Sequence, residues 1–270
     1  MKSWVRRLNV RRWGGKAVRA REESRRGRDS RLVTISLYVA LGDSMSIDHY
    51  PTCDVRGLAL PPARLDPLGA ASLLFRNDDT RWPEFKGRDL GTTSPGVKLL
   101  NLAEDGAMID DVTTEGLARL GHDSADPDIL VTLTVGGNDL LSALFAGGRL
   151  DSAVRRIQAS FTELVETIRE ELPNAVLVLT TVYDPTDGTG ILPGLEGYGR
   201  LPLEYLDRFN EHVRTIAGSS PRTALADVHR HFLSHGVTAP EGDRWYWQGS
   251  MIEPNARGAS EIRRIWLEGT

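Results

Sequence analysis

The residues with the clearest chemical potential form the tripeptide Gly42-Asp43-Ser44, directly after the apolar run Leu32–Leu41. The abrupt change from apolar to small and polar residues predicts a buried strand that ends in a tight turn. Such a turn holds a serine hydroxyl on a rigid support, and its backbone N–H groups can bind an oxyanion. Ser44 is therefore predicted to be a nucleophile.

Two later segments offer donors for the same oxyanion. Gly106 comes shortly after the apolar run Val97–Leu102, and Asn138 comes shortly after the run Ile129–Val135. A tetrahedral oxyanion needs two or three fixed donors, and glycine allows a backbone N–H to approach closely. An asparagine side chain adds an amide donor. The order of the three segments predicts one shared site.

The elements that must position these residues alternate along the chain. Apolar runs predict five strands, at Leu32–Leu41, Val97–Leu102, Ile129–Val135, Ala175–Val182 and Thr223–Val228. Amphipathic spacing predicts helices at Leu65–Arg76, Met108–Arg119, Leu150–Glu171, Pro202–Ala217 and Asn255–Leu267. Strands that are continuously apolar and alternate with helices indicate a parallel sheet covered on both faces. We therefore predict an α/β fold, a three-layer α/β/α sandwich.

Ser44, Gly106 and the motif Gly-Gly-Asn138, in this order and each after a strand, resemble the SGNH (GDSL-type) hydrolases over roughly residues 32–268. The resemblance implies a flavodoxin-like, five-stranded parallel sheet and a serine that attacks an ester carbonyl. It also implies an oxyanion hole made by the N–H groups of Ser44 and Gly106 and the side-chain amide of Asn138.

One motif of that family is altered. The family places an Asp and, three residues later, a His before Pro-Asn and a helix, whereas the matching stretch here reads Ser250-Met-Ile-Glu253-Pro-Asn. Glu253 thus stands where the base is expected. An ordinary glutamate starts about 3 kcal/mol weaker as a base than histidine, although burial can raise its pKa. Pro254 suits the first position of a helix, which would place Glu253 where the helix dipole favours the carboxylate.

His235, in Phe232-Leu-Ser-His235, is the second candidate base. It lies between the fifth predicted strand and the last predicted helix, in a connection expected to cross the site. Asp243 or Glu253 would orient it. The choice between Glu253 and His235 stays open at this point.

Other residues are assigned more coarsely. Asp43, Asp243 and Trp247 are predicted to contact the substrate, a small-molecule ester. The acidic residues near strand ends lack the spacing of a calcium or zinc loop, and the single cysteine, Cys53, excludes a disulfide framework and a cysteine-based metal cage. We expect no metal site and no cofactor.

Charge divides the chain into a basic segment, residues 1–31, and a domain, residues 32–270. The segment holds 12 Lys and Arg against 3 Asp and Glu, within totals of 33 and 37 for the chain. It has little apolar periodicity and is predicted to be disordered. It lacks the apolar core of a secretory signal, and no apolar run is long enough to span a bilayer. We expect a cytoplasmic protein that binds no nucleic acid, and the oligomeric state stays open.

The functional hypothesis is a serine-dependent hydrolase of carboxylic esters that forms an acyl-enzyme on Ser44. A small acyl ester or an acetylated carbohydrate is the expected substrate class, by analogy with the family. Two alternatives use the same site. One is an acyltransferase, and the other is a protein that binds an ester or glycan but has lost its base.

Overall fold

The computed structural model describes residues 34–120 and 128–269. The basic segment 1–31 lies outside the described residues, so its predicted disorder and its boundary with the domain stay predictions. Residues 32 and 33, where the first strand was predicted to begin, also lie outside them. No helix within the described ranges is long and apolar enough to cross a membrane.

Five parallel strands form the central sheet, in the order β2-β1-β3-β4-β5. Their bounds are Leu37–Gly42 (β1), Lys98–Asn101 (β2), Ile129–Thr134 (β3), Val176–Thr180 (β4) and Thr223–Ala226 (β5). Strands β2 to β5 lie inside predicted apolar runs, and β1 ends at Gly42, the residue after its predicted run. Strands covered by helices on both faces are largely apolar. The first strand begins at Leu37, since residues 34–36 are not in strand conformation. The predicted five-stranded parallel sheet is confirmed.

The helices pack around this sheet. Their bounds are His49–Arg56 (α1), Ala70–Phe75 (α2), Leu90–Thr93 (α3), Ile109–Asp111 (α4), Gly137–Phe145 (α5), Leu150–Glu171 (α6), Leu203–Ser219 (α7), Val228–Phe232 (α8) and Ala256–Gly269 (α9). The predicted helix at 108–119 is instead α4 followed by a π turn, Val112–Gly116, and a 3-10 turn, Leu117–Arg119. A short antiparallel hairpin, β6 (Tyr246–Trp247) with β7 (Ser250–Pro254), was not predicted.

Side chains of β1 show the three layers directly. Val39 and Leu41 belong to one apolar core with side chains of α6 and α7. Tyr38 and Ala40 belong to a second core with side chains of α2 and α9. Successive strand residues point to opposite faces, so one strand serves both cores. The three-layer α/β/α arrangement is confirmed.

The chain order of the strands creates the place for a site. From β1 the chain continues on one side to β2, and β3 lies on the other side of β1. In doubly wound sheets a crevice opens at such a reversal, outside the carboxyl ends of the two strands. The loops that follow β1 and β3 carry Ser44 and Asn138.

Candidate active site

The turn after β1 is held against β3. Asp43 N–H donates to the backbone oxygen of Thr134 at 2.9 Å, and the hydroxyls of Ser46 and Thr134 lie 2.9 Å apart. Met45 N–H donates to the Asp43 carboxylate at 3.1 Å. Gly42 has a φ of 126°, and a Cβ there would lie 1.8 Å from the Thr134 oxygen, so only glycine fits. This turn holds Ser44 at the mouth of a cavity that the residue lines.

The loops after β2 and β3 are tied together around the predicted oxyanion donors. Gly106 has a φ of 74°, a left-handed conformation that favours glycine. Asn138 Nδ2 donates to the Ala107 oxygen at 3.0 Å, and the Asp139 carboxylate accepts from Ile109 N–H at 3.2 Å. A primary amide has two N–H groups, so the bond to Ala107 orients Asn138 and leaves one N–H for an oxyanion.

Glu253 reaches the Ser44 side of the cavity from β7. Its side chain is only 8% exposed, and Oε2 has no hydrogen-bond partner among the described residues. The pKa of this carboxyl is raised to about 7, mainly by burial, with a lowering effect of the neighbouring Ser44 hydroxyl and smaller raising effects of the negative charges of Asp43 and Asp105. A buried carboxyl that faces a serine and has an uncommitted oxygen can accept a proton near neutral pH.

The sequence interpretation of Pro254 as the first residue of a helix is wrong. Pro254 ends β7, and α9 begins at Ala256. Asn255 caps the helix, because its side-chain oxygen accepts from Gly258 N–H at 2.8 Å. The Glu253 carboxyl therefore lies outside the first turn, and burial determines its pKa instead of the helix dipole.

Asp43 is a second buried carboxyl at this site. It lines the cavity with Ser44 and is 3% exposed. Burial raises its pKa to about 6, against the lowering effect of the hydrogen bonds from Met45 and Thr134. Asp43 thus holds the turn and adds negative charge near Glu253. Its predicted contact with substrate stays a prediction.

His235 lies apart from this arrangement. Its ring stacks on Trp245, with 3.6 Å between centroids and 5° between planes. Nδ1 is 3.0 Å from the backbone oxygen of Asp243, which can only accept, so Nδ1 carries the proton. Neither His235 nor Asp243 lines the cavity that Ser44 and Glu253 share. Of the two candidate bases, the structure brings only Glu253 to the serine.

Trp247, in β6, lies beside the site and not within the cavity lining. Its ring is 5.4 Å from that of Tyr50, whose hydroxyl donates to the Asp105 carboxylate at 2.8 Å. Asp105 directly precedes Gly106. These side chains form a polar and aromatic wall, which we call the Tyr50 wall. Nothing in the spacing of the sequence indicated Tyr50, because α1 was not predicted.

Tyr183 positions the segment that carries Glu253. It follows β4, is 6% exposed, and its hydroxyl donates to the Ile252 oxygen at 2.7 Å. Its ring stacks on Phe232 at 5.2 Å. The sequence held one signal for this residue, since it stands where functional groups gather, just after a strand. Only the tertiary structure shows which backbone atom it holds.

The cavity beside Ser44 is mostly apolar. Leucines and a valine of α5, α6 and α7 line it, together with residues of the segment 182–203 and of β7. Among the described residues, no three His, Cys, Asp or Glu side chains are grouped as they would be to hold a metal ion. The lining brings together a serine, an amide donor and a buried carboxyl, whereas Gly106 lies outside it, on the loop after β2 to which Asn138 is hydrogen-bonded through Ala107.

Solved structures of known proteins share this fold. The chain is similar in structure to phospholipase A1 from Streptomyces albidoflavus, at 20% identity and a TM-score of 0.57, over 87% of this chain and 100% of that one. It is also similar to an extracellular lipase from Streptomyces rimosus, at 18% identity and a TM-score of 0.54, over 87% and 100%. An acetylxylan esterase from Geobacillus stearothermophilus matches at 14% identity and a TM-score of 0.56, over 87% and 93%.

These identities show a shared fold, and no curated protein sequence matches the chain. The model of the GDSL-like lipase/acylhydrolase family matches residues 40–260, which include Ser44, Gly106, Asn138 and Glu253. The chain therefore belongs to the GDSL-like lipase/acylhydrolase family.

Proposed function

We propose that this protein hydrolyses carboxylic esters through an acyl-enzyme on Ser44, with Glu253 as the general base in place of histidine. The observation that carries the proposal is the buried Glu253 carboxyl beside Ser44, whose Oε2 has no hydrogen-bond partner in the described part of the chain and whose pKa is about 7. A catalytic base is most effective when its pKa lies near the working pH. Burial thus removes the disadvantage that an ordinary glutamate would have against histidine.

Acylation follows from the placement of these groups. Ser44 Oγ attacks the ester carbonyl carbon while its proton passes to Glu253, and the carbonyl electron pair moves onto the oxygen. The N–H groups of Ser44 and Gly106 and the free N–H of Asn138 stabilise that oxyanion. The tetrahedral intermediate then loses its alkoxy group, which takes the proton from Glu253 and leaves as the alcohol.

Deacylation repeats these steps with water. Glu253 takes a proton from a water molecule as its oxygen attacks the acyl carbon. The second intermediate breaks its bond to Ser44 Oγ, which recovers the proton, and the carboxylic acid leaves. The same carboxyl therefore acts as base and then as acid in each half of the reaction.

The alternatives differ in what happens to the acyl group. An acyltransferase would pass it to an alcohol instead of water, and a binding protein would not form it. A lost base would leave the serine without a proton acceptor. The pKa of about 7 at Glu253 favours a working base over that loss.

The test compares the wild type with Ser44→Ala, Glu253→Gln and His235→Ala in the hydrolysis of p-nitrophenyl butyrate. We expect the first two variants to lose at least about 10² in kcat, because a general base contributes about 10²–10⁴. His235→Ala, the matched control, is expected to stay near wild type. A fluorophosphonate should label the wild type but not Ser44→Ala.

Hydrolysis that does not depend on Ser44 would overturn the proposal. Loss of activity in His235→Ala, with Glu253→Gln unaffected, would assign the base to histidine. Product analysis in added methanol separates the remaining alternative, since a methyl ester formed in preference to the acid indicates an acyltransferase.

A further inference from the structure

An apolar cavity beside Ser44 is lined by residues of α5, α6 and α7. Its cavity volume is about 140 Å³, and it opens to solvent on one side. Its wall is built by Leu140, Leu141 and Leu144 of α5, Leu150 and Val154 of α6, and Leu206 of α7. Ser44, Asn138 and Glu253 are among the polar residues of the lining.

We propose that this cavity binds the acyl chain of the substrate and selects an unbranched chain of about eight carbons over an acetyl group. The proposal rests on the function proposed above and names its substrate class. It departs from the small or acetylated substrate expected from the sequence, because an acetyl group would leave the leucine wall without a contact.

The length of the cavity wall sets the length of the chain. The lining residues of α5 run from Gly137, the first residue of the helix, to Leu144. Seven residues of helix rise about 10 Å, at about 1.5 Å per residue. An extended chain of about eight carbons covers that distance. Directly after Leu144, Phe145 lies outside the lining and is about half exposed, with 4.8 Å between the centroids of its ring and that of Tyr198.

The side of the site opposite the cavity indicates why the cavity binds the acyl group of the ester and not its alcohol group. The alcohol must leave and water must enter beside Glu253, while the acyl group stays bonded to Ser44. The Tyr50 wall is the polar side, where Tyr50 donates to the exposed Asp105. The order of the strands places Asp105, after β2, and α5, after β3, on opposite sides of Ser44. The alcohol therefore faces the Tyr50 wall, and the acyl chain faces the leucines.

The expected gain can be stated per methylene. Each methylene that enters an apolar wall favours binding by up to about fourfold, so four added between butyryl and octanoyl contribute on the order of 10². The gain should stop when the chain reaches the rim, and palmitoyl should gain nothing over octanoyl. Lengthening the alcohol of an acetate ester should give no comparable rise.

The experiment measures kcat/KM for p-nitrophenyl acetate, butyrate, octanoate, laurate and palmitate, below the concentrations at which they aggregate. In the wild type we expect an octanoate to acetate ratio of about 10² or more. Leu144→Trp fills the cavity and should lower this ratio at least about tenfold. Leu60→Trp adds the same ring at an exposed leucine outside the lining and should keep the ratio.

A binding measurement covers the case in which Leu144→Trp does not fold. Ser44→Ala, which cannot form the acyl-enzyme, should be stabilised against thermal unfolding by methyl octanoate and not by methyl acetate. Equal effects of the two esters, or a wild type that prefers acetate, would overturn the acyl-chain assignment while hydrolysis still stands. Absence of Ser44-dependent hydrolysis for every ester would overturn the proposed function itself.

Discussion

Glu253→Gln tests the proposal that Glu253 is the general base. It removes a buried carboxyl that is expected to affect both the rate of hydrolysis and the stability of the fold. Burial raises the pKa of Glu253 from 4.5 to about 7. At pH 5 only about 1% of such a group is ionised, whereas a glutamate with the ordinary pKa would be about three-quarters ionised. The hydrolytic kcat/KM should therefore rise with pH to a plateau above about 8, with its midpoint near 7.

The same shift predicts a cost in stability. The folded protein holds the Glu253 proton more tightly than the unfolded chain does, so stability falls as pH rises from about 4.5 to about 7. The raised pKa corresponds to about 3 kcal/mol of stability, which is lost when the pH rises above about 7. Glu253→Gln cannot ionise, so its free energy of unfolding should exceed that of the wild type at pH 8.

The assay is urea unfolding of both proteins at pH 5 and pH 8, beside their pH–rate profiles. The difference in unfolding free energy between variant and wild type should grow by about 2–3 kcal/mol from pH 5 to pH 8. Asp43 and Asp139, each with a pKa of about 6, remain in both proteins and contribute to both curves. Glu166→Gln, at an exposed position on α6, is the control and should show no such growth.

A rate midpoint near 4.5, or a difference in stability that does not change with pH, would refute the reasoning. Either result would mean that Glu253 is ionised in the ordinary range, and so is a weak base. A normal rate of hydrolysis in Glu253→Gln, together with the predicted stability change, would show that Glu253 has a raised pKa but is not the base.

Two further predictions concern the frame around the serine. Asn138→Ala should lower kcat for p-nitrophenyl butyrate by about 10²–10³ with little change in KM, because the lost donor binds the oxyanion; an equal rise in KM would instead indicate a role in substrate binding. Gly42→Ala should lower the free energy of unfolding by more than about 3 kcal/mol, because the added Cβ meets the Thr134 oxygen at a left-handed φ, and a denaturation midpoint close to wild type would contradict this.

The elements predicted best are those in which one physical rule applies along the whole segment. The helix predicted at Leu150–Glu171 has the bounds that the structure shows, because its apolar residues repeat with the period of a helix over six turns. The five strands were located because burial on both faces makes them continuously apolar. The serine, glycine and asparagine motifs follow such strands, so their convergence could be predicted.

The elements that were missed depend on contacts distant in sequence. The hairpin of β6 and β7 pairs Tyr246 with Pro254, and Pro254 in isolation fits a helix start equally well. His235 looked competent as a base because a histidine near a site usually is. Its ring stacks on Trp245 outside the cavity lining, and no local pattern encodes that contact.

The sequence by itself determined the fold, the family resemblance, and the nucleophile and oxyanion donors proposed here, because these depend on hydrophobic period and on residue types at strand ends. The tertiary structure decided the pKa of Glu253. Burial is the largest cause of its rise, and burial depends on the packing around the side chain and not on its neighbours in the chain. The tertiary structure also decided the shape of the cavity, which helices far apart in sequence build together. Burial and cavity volume are properties of the packed chain, so they appear only when the layers are assembled.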